Sequence, residues 1–337
     1  ERLEFAPGNR ASALVVVEVD PRVRDATSAS FVARSGNIPL AWSITFFVLA
    51  SIGFSGSIVF NDALLTNVTE AKNYDRVSAF GYAMGYLGGG LLFAVNVVMV
   101  SMPEWFGFAT VSDAVRFSFI SVSIWWLAFS IPLWLFVHEE RGRSAASITL
   151  AISSGTGQLL DTFKKVNKLR SVALFLLAYW LYIDGVDTIV RMAVDYGLAI
   201  GLEGSDLLLA LLVTQFVGFP ATIAFGYLGE RIGTKTAILL AIAVYLAVTV
   251  LAYEMNTMEE FYMLAIVIGL VQGGIQSLSR SFYARIIPRS QSAEFFGFYN
   301  MLGKFAAVLG PLMIGVIATM TDSSRLGMFS VSILFIS

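Results

Sequence analysis

The sequence predicts an all-α protein, a polytopic bundle of membrane-spanning helices, and three observations carry that expectation. Of its 337 residues, 57% are hydrophobic and only 14% are charged, with a mean hydropathy of +0.75, a balance outside the range of soluble domains. The apolar residues fall in blocks near the ~20 needed to cross a ~30 Å hydrocarbon core. Lysine and arginine collect in alternate connections between those blocks, as expected of a chain that repeatedly crosses a bilayer.

Taken in order, residues 1–38 are an atypical non-membrane segment. They hold five arginines and one short apolar run at 13–19, interrupted by Glu18, so neither a spanning helix nor a signal sequence is expected there. Nine candidate spans follow, at 40–61, 79–101, 115–137, 171–196, 206–229, 236–253, 260–279 and 294–320, with a last one entering at 327. Residues 39–137 then form one group of three spans, 138–170 a linker, and 171–337 a group of six whose last member is short. From 326 to 337 only about 18 Å of helix is available at ~1.5 Å per residue, so the natural chain is expected to continue.

Orientation comes from the cations. One set of connections holds Lys72, Arg76, Arg141, Arg143, Lys164, Lys165, Lys168, Arg170, Arg231, Lys235, Arg280, Arg285 and Arg289, while the intervening set holds only Arg325, with Arg116 at a helix end. The first set is therefore cytoplasmic. Within the linker, Leu159, Leu160, Phe163 and Val166 recur at helical spacing with Lys164, Lys165 and Lys168 elsewhere around the helix, which predicts an interfacial amphipathic helix. A plain solvated connector is the competing expectation.

Composition excludes several functions. A net charge of −2 and a pI near 5.6 argue against nucleic acid as a partner. With no cysteine and a single histidine, His138, neither a disulfide framework nor a thiolate or histidine metal site is expected, and no cofactor is called for. Gly155-Thr156-Gly157 lacks the following Lys-Ser/Thr and a preceding strand, so it is no phosphate loop. No nucleophile with a base falls at membrane depth, and an enzyme is not expected.

Charge inside the spans is the strongest functional signal. Asp184, Asp187, Arg191 and Asp195 follow spacings of three, four and four, which at ~100° per residue places all four within about 80° of one face. Each charge near mid-bilayer costs at least ~2.5–3.5 kcal/mol on insertion scales, so such a face should look into the bundle or a watery cavity. Arg191 neutralised by Asp187 and Asp195 is the purely architectural alternative. Asp184, roughly 20 Å along the helix, is the better candidate for solute or proton. Lys304 sits ~15 Å inside its span with Asn300 one turn before it. It is expected to attract an anionic group or to pair with Asp184.

Other polar positions carry two readings each. Asn96, Gln215, Gln272 and Gln276 either line a cavity or join helices by hydrogen bonds. Gly81, Gly85 and Gly89 at spacing four, with Gly88 and Gly90, predict a small-residue groove for close packing. Arg280, Arg285, Arg289 and Glu294 form a gate-like charge cluster or merely mark the cytoplasmic side.

After the fifth span the sequence reads Gly226-Tyr227-Leu228-Gly229-Glu230-Arg231-Ile232-Gly233-Thr234-Lys235, which resembles the loop motif Gly-x-Leu-Ala-Asp-Arg-x-Gly-Arg-Arg of the major facilitator superfamily, with Glu for Asp. In that motif Gly226, Glu230, Arg231, Gly233 and Lys235 would form a glycine turn whose charges latch one conformation. Four further stretches resemble the vacuolar amino-acid effluxer-like branch and its bacterial members. They are Gly81-Tyr82-Ala83-Met84-Gly85-Tyr86-Leu87-Gly88-Gly89-Gly90, Tyr182-Ile183-Asp184-Gly185-Val186-Asp187-Thr188, Gln276-Ser277-Leu278-Ser279-Arg280-Ser281, and the run from Phe298 through Lys304 to Pro311. The resemblance implies a major facilitator bundle with about nine of twelve helices present, the first three having no counterpart. It also implies a secondary transporter of the bacterial inner membrane, moving amino acids or related small solutes by alternating access; if an acid of the charged face titrates during the cycle, protons are the coupling ion. A non-transporting membrane partner, a sensor or a truncated remnant of a transporter is the second expectation.

Overall fold

The computed structural model describes residues 14–15, 31–32, 40–136, 155, 157, 161–306 and 308–336. His138, Leu159, Leu160, Ala307 and most of 1–38 and of the linker lie outside the described residues. Two compact units are formed by residues 1–62 and 63–337. In the first, Leu14–Val15 and Phe31–Val32 make a two-residue antiparallel pairing, β1 and β2; helix α1 spans Leu40–Val68, with residues 63–68 belonging to the second unit.

Among its described residues the second unit consists of helices and the turns that join them. Its helices are α2 (Tyr74–Ser101), α3 (Val111–Phe136), α4 (residues 161–168), α5 (Arg170–Ala199), α6 (Gly204–Ile232), α7 (Thr234–Glu254), α8 (Met258–Ile286), α9 (Ser292–Ala306), α10 (Leu309–Thr321), α11 (Ser324–Ser330) and α12 (Ser332–Ile336). Among the described residues eight helical runs are long and apolar enough to cross a membrane, and a shorter apolar run, Ser324–Ile336, follows. These runs match the nine blocks read from the sequence. The ends differ instructively: α2 begins at Tyr74 rather than 79, because hydropathy registers the lipid-facing length while Asp75 and Ser78 continue the helix with their polar groups buried against neighbours.

Connections follow from terminal chemistry. The Thr257 hydroxyl accepts the Glu260 N–H at 3.3 Å while the Glu260 carboxylate accepts the N–H groups of Thr257 (3.0 Å) and Asn256 (2.7 Å). This capping box starts α8. Gly233, at φ 88°, turns α6 into α7 in a single residue, a backbone conformation that only glycine adopts cheaply.

The packing centre is the mutual contact of α2, α6 and α8. Here the expected glycine groove is corrected. A Cβ on Gly85 or Gly89 would meet nothing within 4 Å, whereas one on Gly226 of α6 would overlap Ala79 of α2, and one on Gly273 of α8 would overlap Thr222 of α6. The spacing of four is real, but the glycines whose Cβ would overlap a neighbour at this centre lie on α6 and α8, while on α2 Gly81 faces Arg280 of α8 and Gly90 faces Gln215 and Phe216 of α6. The block at 294–320 is one candidate span, Arg289–Thr321, carried by two helical stretches, α9 to Ala306 and α10 from Leu309, with Val308 outside both.

Candidate functional site

Helix α5 delivers the charged face. Its apolar positions Val172, Leu176, Ile183, Val186 and Ile189 are buried in the core, which fixes the rotation of the helix and so the direction of the remaining side chains. Along the face exposure rises steadily: Asp184 is fully buried, Asp187 is half-buried, and Arg191 and Asp195 are exposed. Arg191 Nη2 lies 3.9 Å from Asp187 Oδ2, one helical turn away. Asp187 therefore has its ion pair within α5, and Lys304, exposed, stands on a second helix, α9.

Asp184 is placed otherwise. Its Oδ1 accepts the Thr188 hydroxyl at 3.4 Å, and its two oxygens accept the Gly310 N–H at 3.2 and 3.0 Å. Asp184 thereby caps the start of α10.

Beside this face stands a wall of rings. Tyr179 stacks on Tyr299 with centroids 4.1 Å apart, Tyr299 on Tyr283 at 4.9 Å, and Tyr182 meets Tyr179 edge-on at 5.6 Å. The wall joins α5, α8 and α9 and sets the last turn of α9 beside α5; Gly303 faces the Tyr179 hydroxyl. The remaining polar candidates scatter. Asn300 donates to the carbonyl of Phe296 in its own helix at 3.0 Å, Asn96 accepts from Ser121 of α3 at 3.0 Å, and Gln276 accepts from the Tyr86 hydroxyl at 3.5 Å. Gln272 lines an apolar cavity of about 60 Å³ with Thr214, Tyr196 and Met328, and Gln215 packs on Gly90.

At the end assigned to the cytoplasm, a polar network ties α2 to α6, α7 and α8. Asp75, 1% exposed, accepts from Arg285 Nη1 (2.8 Å), from the Thr234 hydroxyl (2.7 Å) and from Ser281. Arg285 donates further to Thr234 at 2.6 Å. Arg280, also buried, donates to Ser78 Oγ at 2.9 Å and to the Ser78 carbonyl at 3.1 Å, with its guanidinium over the Tyr82 ring at 4.8 Å. Ser78 in turn donates to the Ser277 carbonyl. In the loop motif, Glu230 accepts from Arg76 at 2.7 Å, while Arg231 and Lys235 are exposed.

Asp75, Ser78, Thr234 and Ser281 escape a sequence reading. An acid in the first turn of a helix is ordinary dipole chemistry, and only the fold reveals that this one is enclosed by three other helices. Among the described residues no group of histidine, cysteine and carboxylate side chains is arranged to hold a metal ion.

Known proteins complete the picture. The chain is 40% identical over 295 residues to an uncharacterized MFS-type transporter, YxiO, of Bacillus subtilis, covering 87% of this chain and 68% of that one. It is 26% identical over 338 residues to autophagy-related protein 22 of Yarrowia lipolytica, covering 90% of this chain and 55% of that one. With autophagy-related protein 22-1 of Aspergillus niger the identity is 24%, over 74% of this chain and 43% of that one. The chain thus spans about half the length of these fungal relatives. Together with the helical runs, these matches make it an integral, multi-pass membrane protein. The family profile described as vacuole effluxer Atg22 like matches residues 40–337, and the chain belongs to that family.

Proposed function

We propose that the protein moves a small zwitterionic solute, an amino acid or related metabolite, across a bacterial inner membrane by alternating access. The observation that carries this reading is the charged face of α5, where Asp187 lies 3.9 Å from Arg191, together with Lys304 on a separate apolar helix, α9. Such a set offers cations to a carboxylate and an acid to an ammonium group, and charges at this depth are maintained only where they work or pair. Asn300, one turn from Lys304, adds an amide, and Asp187 is the acid available for protons as the coupling ion. The buried network of Asp75, Ser78, Arg280 and Arg285 supports a state closed toward the cytoplasm, one of the two that alternating access requires. Likeness to an MFS-type transporter supports the same class.

The test is flux in proteoliposomes holding the full-length protein, with a panel of labelled amino acids imposed with and without a pH gradient. Lys304→Ala and Asp187→Asn should each lower flux at least about tenfold while the protein remains monodisperse. Unchanged flux in both would sink the site. No flux for any amino acid by the parent would favour a non-transporting partner.

A further inference from the structure

The discontinuity between α9 and α10 assigns Asp184 a task of its own. Near the start of α10 the chain reads Leu309-Gly310-Pro311. The backbone donors there can be followed one by one. Pro311 has none, Leu312 donates to the Val308 carbonyl at 3.2 Å, and Gly310 donates across to both oxygens of Asp184. An N-terminal N–H inside a membrane has no water to turn to, so a carboxylate from a neighbouring helix substitutes for the usual side-chain cap. The fit is close. A Cβ on Gly310 would overlap the Thr188 hydroxyl, and both Thr188 and Asp184 are fully buried. Position 310 therefore needs glycine for the approach and a donor for the bond.

The other end of the broken span is held separately. Glu294, in the first turn of α9, accepts from the Thr162 hydroxyl and from Lys165 of α4, and the ring wall fixes Tyr299. Lys304 lies between these anchors and the break, two residues before α9 ends. Its position relative to Asp187 depends on where the break is pinned to α5.

We propose that Asp184 is a positioning residue: by capping α10 through the Gly310 N–H it pins the start of α10 to α5 and so sets where Lys304 stands relative to the charged face of α5, without meeting the solute. This rests on the transporter reading for its consequence, but not for its geometry. The chain contains no cysteine, so Ala293→Cys and Thr321→Cys, both exposed, can be spin-labelled in the full-length protein without removing native thiols. In Asp184→Ala the distance distribution between the labels should shift and broaden, and transport should fall about tenfold, the order that loss of a helix cap carries. Asp184→Asn keeps an acceptor oxygen and should retain both the parent distances and transport within about threefold, with KM unchanged. The assignment is overturned if Asp184→Ala leaves the distances as they were, or if Asp184→Asn abolishes transport at unchanged distances, because the carboxylate would then be handling solute or proton itself. Should Asp184→Ala fail to fold, Asp184→Asn decides alone: parental distances with retained transport uphold the cap, and shifted distances refute it. The distances are read without solute, so they decide the cap even if no flux is ever found.

Discussion

Two ion pairs at the cytoplasmic end look alike in sequence and differ sharply in energetic weight. Asp75 with Arg285 has side chains 2% and 28% exposed, whereas Arg76 with Glu230 has 54% and 24%. Removing one partner of a buried pair costs about 3–5 kcal/mol because the other charge stays desolvated, while an exposed pair is worth about 0–1 kcal/mol. Arg285→Ala should therefore lower the Tm in detergent clearly and open the cytoplasmic end, and Arg76→Ala should barely move it; equal effects would refute the ranking. Close packing gives a second contrast. Gly273→Ala forces a methyl into Thr222 and Tyr86, an overpacking that costs about 1–3 kcal/mol. Thr222→Ala on that background should recover part of the loss, and a Gly273→Ala protein that melts with the parent would show that α6 and α8 can separate freely.

At the scale of elements, α4 is a short helix tied to α9 by contacts distant in sequence. Val166 and Thr162 are buried, Phe163 lies 6.2 Å centroid to centroid from Phe298, and Lys165 reaches Glu294 at 3.2 Å. The amphipathic spacing of Phe163 and Val166 is legible in the sequence, since periodicity reports which face is apolar. Its docking partner is not, because Glu294 lies more than a hundred residues away and nothing local links the two. Glu294→Gln removes the charge that holds Lys165, a half-exposed pair worth up to about 1 kcal/mol, so tryptic cleavage at Lys164, Lys165 or Lys168 should quicken by up to about fivefold. Salt should narrow the difference between parent and variant, since the pair is screened. Cleavage at the parental rate at every salt concentration would mean that packing of Val166 alone seats the helix. The tie between α10 and α5 is hidden for a related reason: Ala306 to Pro311 is apolar throughout, and the carboxylate that caps the start of α10 lies on α5.

For the molecule as a whole, the class of fold was readable because a bilayer imposes length and charge rules on every span independently. The functional face was half readable. One helix supplies Asp184, Asp187 and Arg191, and a periodicity of 3.6 groups them, but Asp187 and Asp184 part company only when α9 and α10 arrive from another region of the chain. Whole-molecule behaviour then turns on whether the cytoplasmic network must open. Arg76 and Glu230 sit on α2 and α6, which lie in the two different groups of spans, and their side chains meet at 2.7 Å. Replacing them as Arg76→Cys with Glu230→Cys and joining the thiols with a short bismaleimide should fix that end closed. The single variants treated alike should transport as the parent does, because the exposed pair contributes little energy of its own. If the joined protein has lost flux and regains it when a cleavable reagent is used and cut, opening at this end is part of the cycle. If the joined protein still moves solute at the parental rate, the closed cytoplasmic end is a fixed scaffold, and alternating access across it is wrong.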